Sequence, residues 1–230
     1  MKFMAPKAIS PFCCAYQQLS YSKQRWSKQP MAKWNSSIFR SGMMLDFLVR
    51  LDKRLFVFFN QTIENSVLDL VMPFITEPRY FIIPFIIICL GIIILWRRRG
   101  VLILLWGAIL ITITDQLCHS VLKPMIDRSR PCHELDMVRL LINCGGLRSF
   151  PSSHAINIFA AATYFGEKFL HRREFFLVAS LVGLSRIYCG VHYPFDVLAG
   201  AALGIGIGLG ICHLDSYLGH KYPFLSTEES

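Results

Sequence analysis

Three short segments in the second half of the chain concentrate cations and histidines. They read KPMIDRSRP at 123–131, PSSH at 151–154 and SRIYCGVHYPFD at 185–196. A phosphoryl group in transfer spreads its negative charge over its equatorial oxygens, so catalysis consists largely of placing fixed positive donors around them. These residue types therefore indicate phosphoryl chemistry that needs neither a metal ion nor a cofactor.

Three residues are the predicted catalytic groups. His192 is the candidate nucleophile, because an imidazole nitrogen can attack phosphorus and form a covalent intermediate. Asp196, four residues later, would hold the ring in the correct tautomer and orientation if Pro194 opens a helix. His154 would protonate the leaving oxygen and then deprotonate the attacking water, since one group can serve both steps.

Five further residues are predicted to bind the substrate phosphate. Lys123, Arg130 and Arg186 supply positive charge, and the planar fork of arginine contacts two phosphate oxygens at once. Ser152 and Ser153, at the predicted start of a helix, add hydroxyl groups and helix N-terminal amides.

Long apolar runs must position these segments. The chain has 230 residues, of which 53% are hydrophobic, a high share for a soluble protein. The runs long enough to be spanning helices are 80–96, 101–122, 153–170, 175–190 and 197–213. The stretch 45–75 is more charged and predicts an interfacial amphipathic helix followed by a short buried one, with a sixth crossing as the alternative. The predicted fold is all-α, a polytopic transmembrane helix bundle of five to six spans.

The predicted chain has four parts: a basic, disordered tail at 1–45, an amphipathic segment at 46–78, a transmembrane phosphatase bundle at 79–214 and a C-terminal tail at 215–230. The first segment holds seven of the 24 basic residues and no acid, so the net charge of +9 is concentrated there. The rest has no basic stripe, and a nucleic-acid partner is not expected. A transit peptide, a cytoplasmic arm and sequence upstream of a later start all fit the tail.

Two basic turns predict the orientation of the bundle. Arg97–Arg99 and His171–Arg173 fall on one face if every run crosses, and basic short loops stay cytoplasmic. The loop 123–151 and the junction near His192 then lie on the extracytoplasmic face, which for a bacterial cell means the outer side of the inner membrane. Glycines at 200, 204 and 208 form a stripe that lets another helix approach closely.

Each polar cluster also has a structural interpretation. Lys123, Arg128 and Arg130 are suited to snorkelling at the interface, and Arg186 to a paired charge in the bundle. All of the clusters nevertheless converge on one membrane face, where charge is costly and usually functional, so the joint functional interpretation is favoured. The i, i+4 pair Asp115 and His119 is predicted to be a structural pair inside the bundle.

The three segments resemble, in order and spacing, the K-x6-RP, PSGH and SR-x5-H-x3-D motifs of the type 2 phosphatidic acid phosphatase family. That superfamily also includes vanadium haloperoxidases and glucose-6-phosphatase. The resemblance covers 123–196 by motif and implies the roles given above. One departure is Ser153, which stands where the family more often has glycine; its hydroxyl can substitute for close backbone approach.

The bilayer and a lipid phosphate are the expected partners, and the oligomeric state is left open. The resemblance implies undecaprenyl diphosphate, phosphatidylglycerol phosphate, phosphatidic acid or lipid A phosphates, and the compact layout favours an isoprenoid diphosphate. Transfer to another lipid instead of water is an alternative. A haloperoxidase is disfavoured because those relatives are soluble, and a transporter or scaffold because it would place more charge within the spans.

The cysteine pattern predicts a disulfide rather than a metal site. None of the eight cysteines shows the paired C-x2-C spacing of a zinc site. Cys132 and Cys144 share the loop predicted to be extracytoplasmic, where a disulfide can persist.

Overall fold

The computed structural model of the chain describes residues 42–227. The predicted tail up to residue 41 and the last three residues lie outside this range. The described part contains no β-sheet, which confirms the all-α prediction. Its helices are α1 (Gly42–Val57), α2 (Ser66–Thr76), α3 (Ile82–Gln116), α4 (Lys123–Ile126), α5 (Pro131–Glu134), α6 (Ser153–Phe169), α7 (Arg172–Tyr188) and α8 (Pro194–Lys221). Two π-helical turns, Phe58–Thr62 after α1 and Leu117–Leu122 after α3, extend these helices.

Helix α3 reverses direction at the first basic turn. Arg97 has φ 47° and ψ −121°, which no helix allows. A Cβ atom placed on Gly100 would lie 2.4 Å from the carbonyl oxygen of Ile92, whereas eight residues of straight helix extend about 12 Å. The predicted runs 80–96 and 101–122 therefore fold back on each other.

Two stretches of the described chain are long and apolar enough to cross a membrane, Pro78–Ile126 and Pro194–Lys221. The first has 49 residues and contains the reversal. Many of its large apolar side chains are exposed; Ile83 and Ile94 are 70% and 73% exposed, as expected of a surface that faces lipid. Helices α6 and α7 have 17 residues each, and the count of five to six spans stays a prediction.

The predicted glycine stripe packs α8 against α6. Cβ atoms on Gly200 and Gly204 would lie 2.8 Å and 2.4 Å from the carbonyl oxygens of Ser152 and Ile156. Gly208 continues the contact one turn further on, against Thr163. Because the contacts advance in the same direction along both helices, α6 and α8 run parallel. Their positively polarised N-termini lie side by side.

The other end of the bundle holds both basic turns and the C-terminal segment. The Arg99 side chain donates to the carbonyl oxygen of Thr227 (2.5 Å), and Lys168 donates to the Thr227 hydroxyl (2.8 Å). Lys168 also pairs with buried Asp215 (2.7 Å). Helix α8 continues to Lys221, so the predicted C-terminal tail begins inside this helix.

The N-terminal segment clamps the loop that follows α5. The buried Asn60 amide donates to the carbonyl oxygens of Arg139 and Tyr188 (2.9 and 2.8 Å) and accepts from the Arg139 backbone N–H (3.0 Å). Asp69 on α2 pairs with the Arg139 guanidinium (2.6 Å) and accepts from the Tyr188 hydroxyl (2.6 Å). Helices therefore form where the amphipathic segment was predicted, and their interfacial location stays a prediction.

A disulfide joins Cys132 and Cys144, with their Cα atoms 6.4 Å apart. This confirms the predicted bridge. Nε2 of His133 lies 3.4 Å from the sulfur of Cys144. Cys132, His133 and Cys144 lie close enough together to suggest a metal site. Because the two sulfurs are bonded to each other, only the His133 imidazole is a free ligand.

Candidate active site

The eight residues predicted from the motifs come together where α6 and α8 begin. Seven are buried, and the eighth, His154, is half-buried. The set comprises Lys123, Arg130, Ser152, Ser153, His154, Arg186, His192 and Asp196. They come from the three motif segments of the chain, which the loop 127–152 and the parallel packing of α6 and α8 bring into contact.

His192 lies in the short connection between α7 and α8. Its Nδ1 is 3.6 Å from Oδ2 of Asp196 and 3.4 Å from the Ser149 hydroxyl. Its Nε2 is 3.3 Å from Nη1 of Arg130. A carboxylate at Nδ1 favours the tautomer with the proton on that nitrogen. The lone pair of Nε2 then points to the side of Arg130, one of the cations predicted to bind phosphate.

The turn before His192 depends on a glycine. Gly190 has φ +85°, and a Cβ there would lie 2.6 Å from the carbonyl oxygen of Arg139. Both the left-handed backbone and this close approach exclude a side chain. The loop held by Asn60 therefore packs directly on the turn that presents His192.

Burial governs the charge of His192. The side chain is fully buried, and burial lowers its pKa to about 4, although Asp196 acts in the opposite direction. The imidazole is therefore neutral at pH 7, as a nucleophile must be. Burial also lowers the pKa of Arg130. The pKa of a guanidinium group is so high that Arg130 nevertheless stays charged.

Asp196 is fully buried and surrounded by donors. Its Oδ1 accepts from Nη1 of Arg128 (2.8 Å). Its Oδ2 accepts from the backbone N–H of Tyr193 (2.8 Å) and from the Ser149 hydroxyl. Helix α8 begins at Pro194, which confirms the predicted helix start and explains why Asp196 faces back toward His192.

Three buried cations surround the histidines. Lys123 donates to the Ser153 hydroxyl (3.3 Å), Arg130 to the carbonyl oxygen of Val191 (3.3 Å) and Arg186 to the Thr76 hydroxyl (2.8 Å). The Nε atoms of both arginines are buried and have no acceptor among the described residues. A buried donor without an acceptor costs about 1–3 kcal/mol. Both Nε–H groups are therefore available to donate to the oxygens of an anionic ligand.

The two serines differ in their contacts. Ser152 is the N-cap of α6, where its hydroxyl accepts from the Ala155 N–H (3.4 Å) and its own N–H donates to the Asp196 carbonyl oxygen (3.0 Å). Ser153 contacts Lys123. Phosphate binding by either serine stays a prediction, and the capping role of Ser152 is an additional one.

His154 occupies the first turn of α6, and its side chain makes no hydrogen bond with the described residues. Its charged or titrating neighbours are Arg186, His192, Lys123 and Arg130. A side chain that is half-buried and unbonded beside these groups is placed to exchange a proton with a ligand held by them.

The pair Asp115 and His119 forms, with Nδ1 and Oδ1 3.3 Å apart. The prediction that the pair lies inside the bundle was wrong, because the side chains are 48% and 52% exposed. Nε2 of His119 also lies 3.5 Å from Nζ of Lys123, so the pair borders the site.

The structure adds four residues that the motif analysis did not assign to the site: Asp52, Thr76, Arg128 and Ser149. Ser149 lies two residues before the PSSH segment, and Arg128 lies within the first segment. These positions are the signals that could have drawn attention to them. Asp52 and Thr76 lie far away in sequence and carry no local signal.

Residues 104–219 match the PAP2 superfamily. The chain belongs to this superfamily. The match contains all eight predicted site residues and confirms the resemblance inferred from the three segments, and with it the prediction of a membrane phosphatase.

Similar PAP2 proteins include enzymes and solved structures. Lipid A 4′-phosphatase of Bacteroides thetaiotaomicron is 33% identical over 171 residues, which cover 70% of this chain and 75% of that protein. The crystal structure of Aquifex aeolicus LpxE has a TM-score of 0.55 at 30% identity and covers 71% of this chain and 95% of its own. The crystal structure of a transmembrane PAP2-type phosphatidylglycerolphosphate phosphatase from Bacillus subtilis has a TM-score of 0.55 at 28% identity. The match covers 77% of this chain and 89% of that one.

Proposed function

We propose that this PAP2 protein hydrolyses a lipid phosphate or diphosphate through a phosphohistidine at His192, without a metal ion. The observation that carries the proposal is the pair of buried, unpartnered Nε donors on Arg130 and Arg186 beside a neutral imidazole. Two guanidinium groups with free donors suit the oxygens of a phosphoryl group. The same donors stabilise the charge that develops during its transfer.

In the first step Nε2 of His192 attacks phosphorus, the N–P bond forms and the P–O bond to the lipid breaks. His154, which takes up a proton when the anionic phosphate offsets the charge of the neighbouring cations, gives this proton to the departing lipid oxygen. Asp196 stabilises the positive charge that the ring acquires, through Nδ1–H. Lys123, Arg130 and Arg186 hold the phosphoryl oxygens throughout.

In the second step a water molecule attacks the phosphohistidine. His154, now neutral, takes a proton from this water, the new P–O bond forms, and the N–P bond breaks. The products are inorganic phosphate and the free His192 imidazole, and His154 is protonated again. One residue thus serves as acid and then as base, as microscopic reversibility requires.

The proposed substrate is a lipid whose phosphate lies in the headgroup layer. The similar proteins are named for lipid A 4′-phosphate and phosphatidylglycerol phosphate, so both belong in the test panel. An isoprenoid diphosphate remains the substrate predicted from the compact layout. The proposed location is the cell inner membrane, with the site on the extracytoplasmic face, because the basic turns lie at the opposite end of the bundle.

Phosphate release by purified protein in detergent, measured over these three lipids, tests the proposal. We expect turnover to persist in EDTA and to be blocked by vanadate, which can adopt the geometry of the transition state. Loss of turnover in EDTA that added magnesium restores would point to a different chemistry.

The intermediate can be trapped directly. With a diphosphate substrate labelled at its terminal phosphorus, whose leaving phosphate needs little help from an acid, and an alkaline quench, His154→Ala should retain label on the protein, because the second step lacks its base. His192→Ala should retain none and should lose nearly all turnover. Near-normal phosphate release by His192→Ala would refute the mechanism.

A further inference from the structure

Arg128 is held between two buried carboxylates. Nη1 lies 2.8 Å from Oδ1 of Asp196, and Nη2 lies 2.6 Å from Oδ2 of Asp52. The guanidinium also stacks on the Tyr193 ring, 4.1 Å from its centroid. The two carboxylates are at most 1% exposed and the Arg128 side chain is 15% exposed. The three charges therefore form one largely buried row, which ends at Asp196, the partner of His192.

Asp52 belongs to α1, outside the part of the chain that matches the family. Its second oxygen, Oδ1, accepts the backbone N–H of Phe195 (2.8 Å), in the first turn of α8. Asp52 therefore contacts both Arg128 and the backbone next to Asp196. It does not contact His192 itself.

The division of Arg128 between two partners has a geometric consequence. An arginine and a carboxylate left to themselves favour a bidentate pair, with two parallel N–H···O bonds. Here Asp52 occupies Nη2, so Asp196 can use only one of its oxygens on Arg128. Its other oxygen, Oδ2, stays with the Ser149 hydroxyl and the Nδ1 side of His192.

We propose that Asp52 is a positioning residue for the reaction: by occupying Arg128 it keeps one oxygen of Asp196 directed at His192. The proposal rests on the phosphohistidine mechanism given above. Without Asp52, Arg128 is free to take both oxygens of Asp196, which would turn Oδ2 away from the imidazole. The nucleophile would then lose its orientation while the phosphate-binding cations stay in place.

The test compares Asp52→Asn with a matched control on the same helix. Lys53→Gln removes the neighbouring ion pair, Lys53 to Glu134 (2.5 Å), which is about one-third exposed and does not touch Asp196 or Arg128. We expect Asp52→Asn to lower kcat about tenfold or more and to change KM less than about threefold, the pattern of a defect in the chemical step. Lys53→Gln should keep both constants. The maximal rate is divided by the concentration of vanadate-binding sites. The resulting kcat then refers to folded protein only.

A double-mutant cycle separates positioning from simple support of the fold. If Asp52 acts through Arg128, adding Asp52→Asn to Arg128→Gln should lower kcat no further than Arg128→Gln alone. Asp52→Glu, which keeps the charge, should recover part of the lost rate. A kcat per site within about threefold of wild type in Asp52→Asn would overturn the proposal, whatever its melting temperature. Multiplicative losses in the double variant would overturn it as well.

His192→Ala, measured beside these variants, distinguishes a failure of the phosphohistidine mechanism from a failure of the positioning role of Asp52. If it retains turnover, the mechanism itself fails and the positioning role fails with it. If it is inactive while Asp52→Asn is fully active, only the positioning role fails.

Discussion

Replacing Asp196 by asparagine tests the orientation of the nucleophile with the smallest possible change in shape. Three donors converge on the carboxylate: Nη1 of Arg128 and the Tyr193 N–H, both at 2.8 Å, and the Ser149 hydroxyl. Arg128 contacts one oxygen, and the other two donors contact the second oxygen. An asparagine in either orientation must therefore turn its NH2 group toward a donor.

The structure sets the magnitude of two effects. One buried donor is left without an acceptor, which costs about 1–3 kcal/mol of folding stability. The larger effect is on catalysis, because the amide no longer fixes the His192 proton on Nδ1. Loss of the orienting carboxylate in a comparable triad lowers kcat by about 10⁴ through the wrong tautomer. We expect a loss on the order of 10³ to 10⁴ in kcat, with KM changed less than about threefold.

The assay measures kcat and KM of purified Asp196→Asn on a lipid that the wild-type protein hydrolyses. Thermal unfolding in the same detergent shows what fraction of the variant is folded. Ser149→Ala is the matched control, because it removes one donor and keeps the charge, and it should lose about tenfold or less. A folded Asp196→Asn variant with kcat within about tenfold of wild type would refute the argument that this carboxylate orients His192.

Three other predictions follow from packing, protonation and the disulfide. Gly204→Ala should destabilise the protein by about 1–3 kcal/mol, because its Cβ meets backbone 2.4 Å away, whereas Gly206→Ala, with nothing within 4 Å, should be neutral or stabilising in the same thermal unfolding assay. The pKa of His192 falls from 6.5 in the unfolded chain to about 4, so the unfolded state takes up the proton first. This residue alone should therefore cost wild type about 3 kcal/mol of stability between these pH values, and the acid loss of His192→Asn should be smaller by that amount. Replacing Cys132 and Cys144 by serine should lower stability by about 3 kcal/mol and abolish the effect of a reducing agent on the melting temperature. Equal melting temperatures of the two glycine variants would contradict the packing argument. A loss of stability in acid that is as large in His192→Asn as in wild type would contradict the protonation argument. Unchanged stability of the double serine variant would contradict the argument from the disulfide.

Local signals predicted much of the site. Pro194 predicted the start of α8, and this start places Asp196 within reach of His192. The four-residue glycine period predicted a close helix contact, and the contact with α6 forms. In each case the evidence and its consequence lie within a few residues or a few turns of the same helix, where backbone geometry leaves little choice.

The positions of partners far apart in sequence could not be predicted in this way. Asp52 and Arg128 are 76 residues apart, and Thr76 and Arg186 are 110 apart. Asp52 lies in a segment whose alternating charges indicated an amphipathic helix at an interface. A charge that pairs inside the protein and one that faces water produce the same pattern.

The pair Asp115 and His119 shows the limit of helical periodicity. The spacing correctly predicted that the two side chains would meet. It could not predict which side of α3 faces the other helices, because that helix is apolar around most of its circumference. Both side chains proved to be about half exposed.

The sequence by itself determined the class of chemistry, the all-helical fold, the disulfide and the set of candidate site residues that the structure brings together. These features depend on residue type and short spacing. Only the tertiary structure decided that Asp52 shares Arg128 with Asp196 and that Ser149 stands between Asp196 and His192. The physical reason is that a buried charged group needs partners within about 3 Å. The path of the whole chain decides which residues come that close.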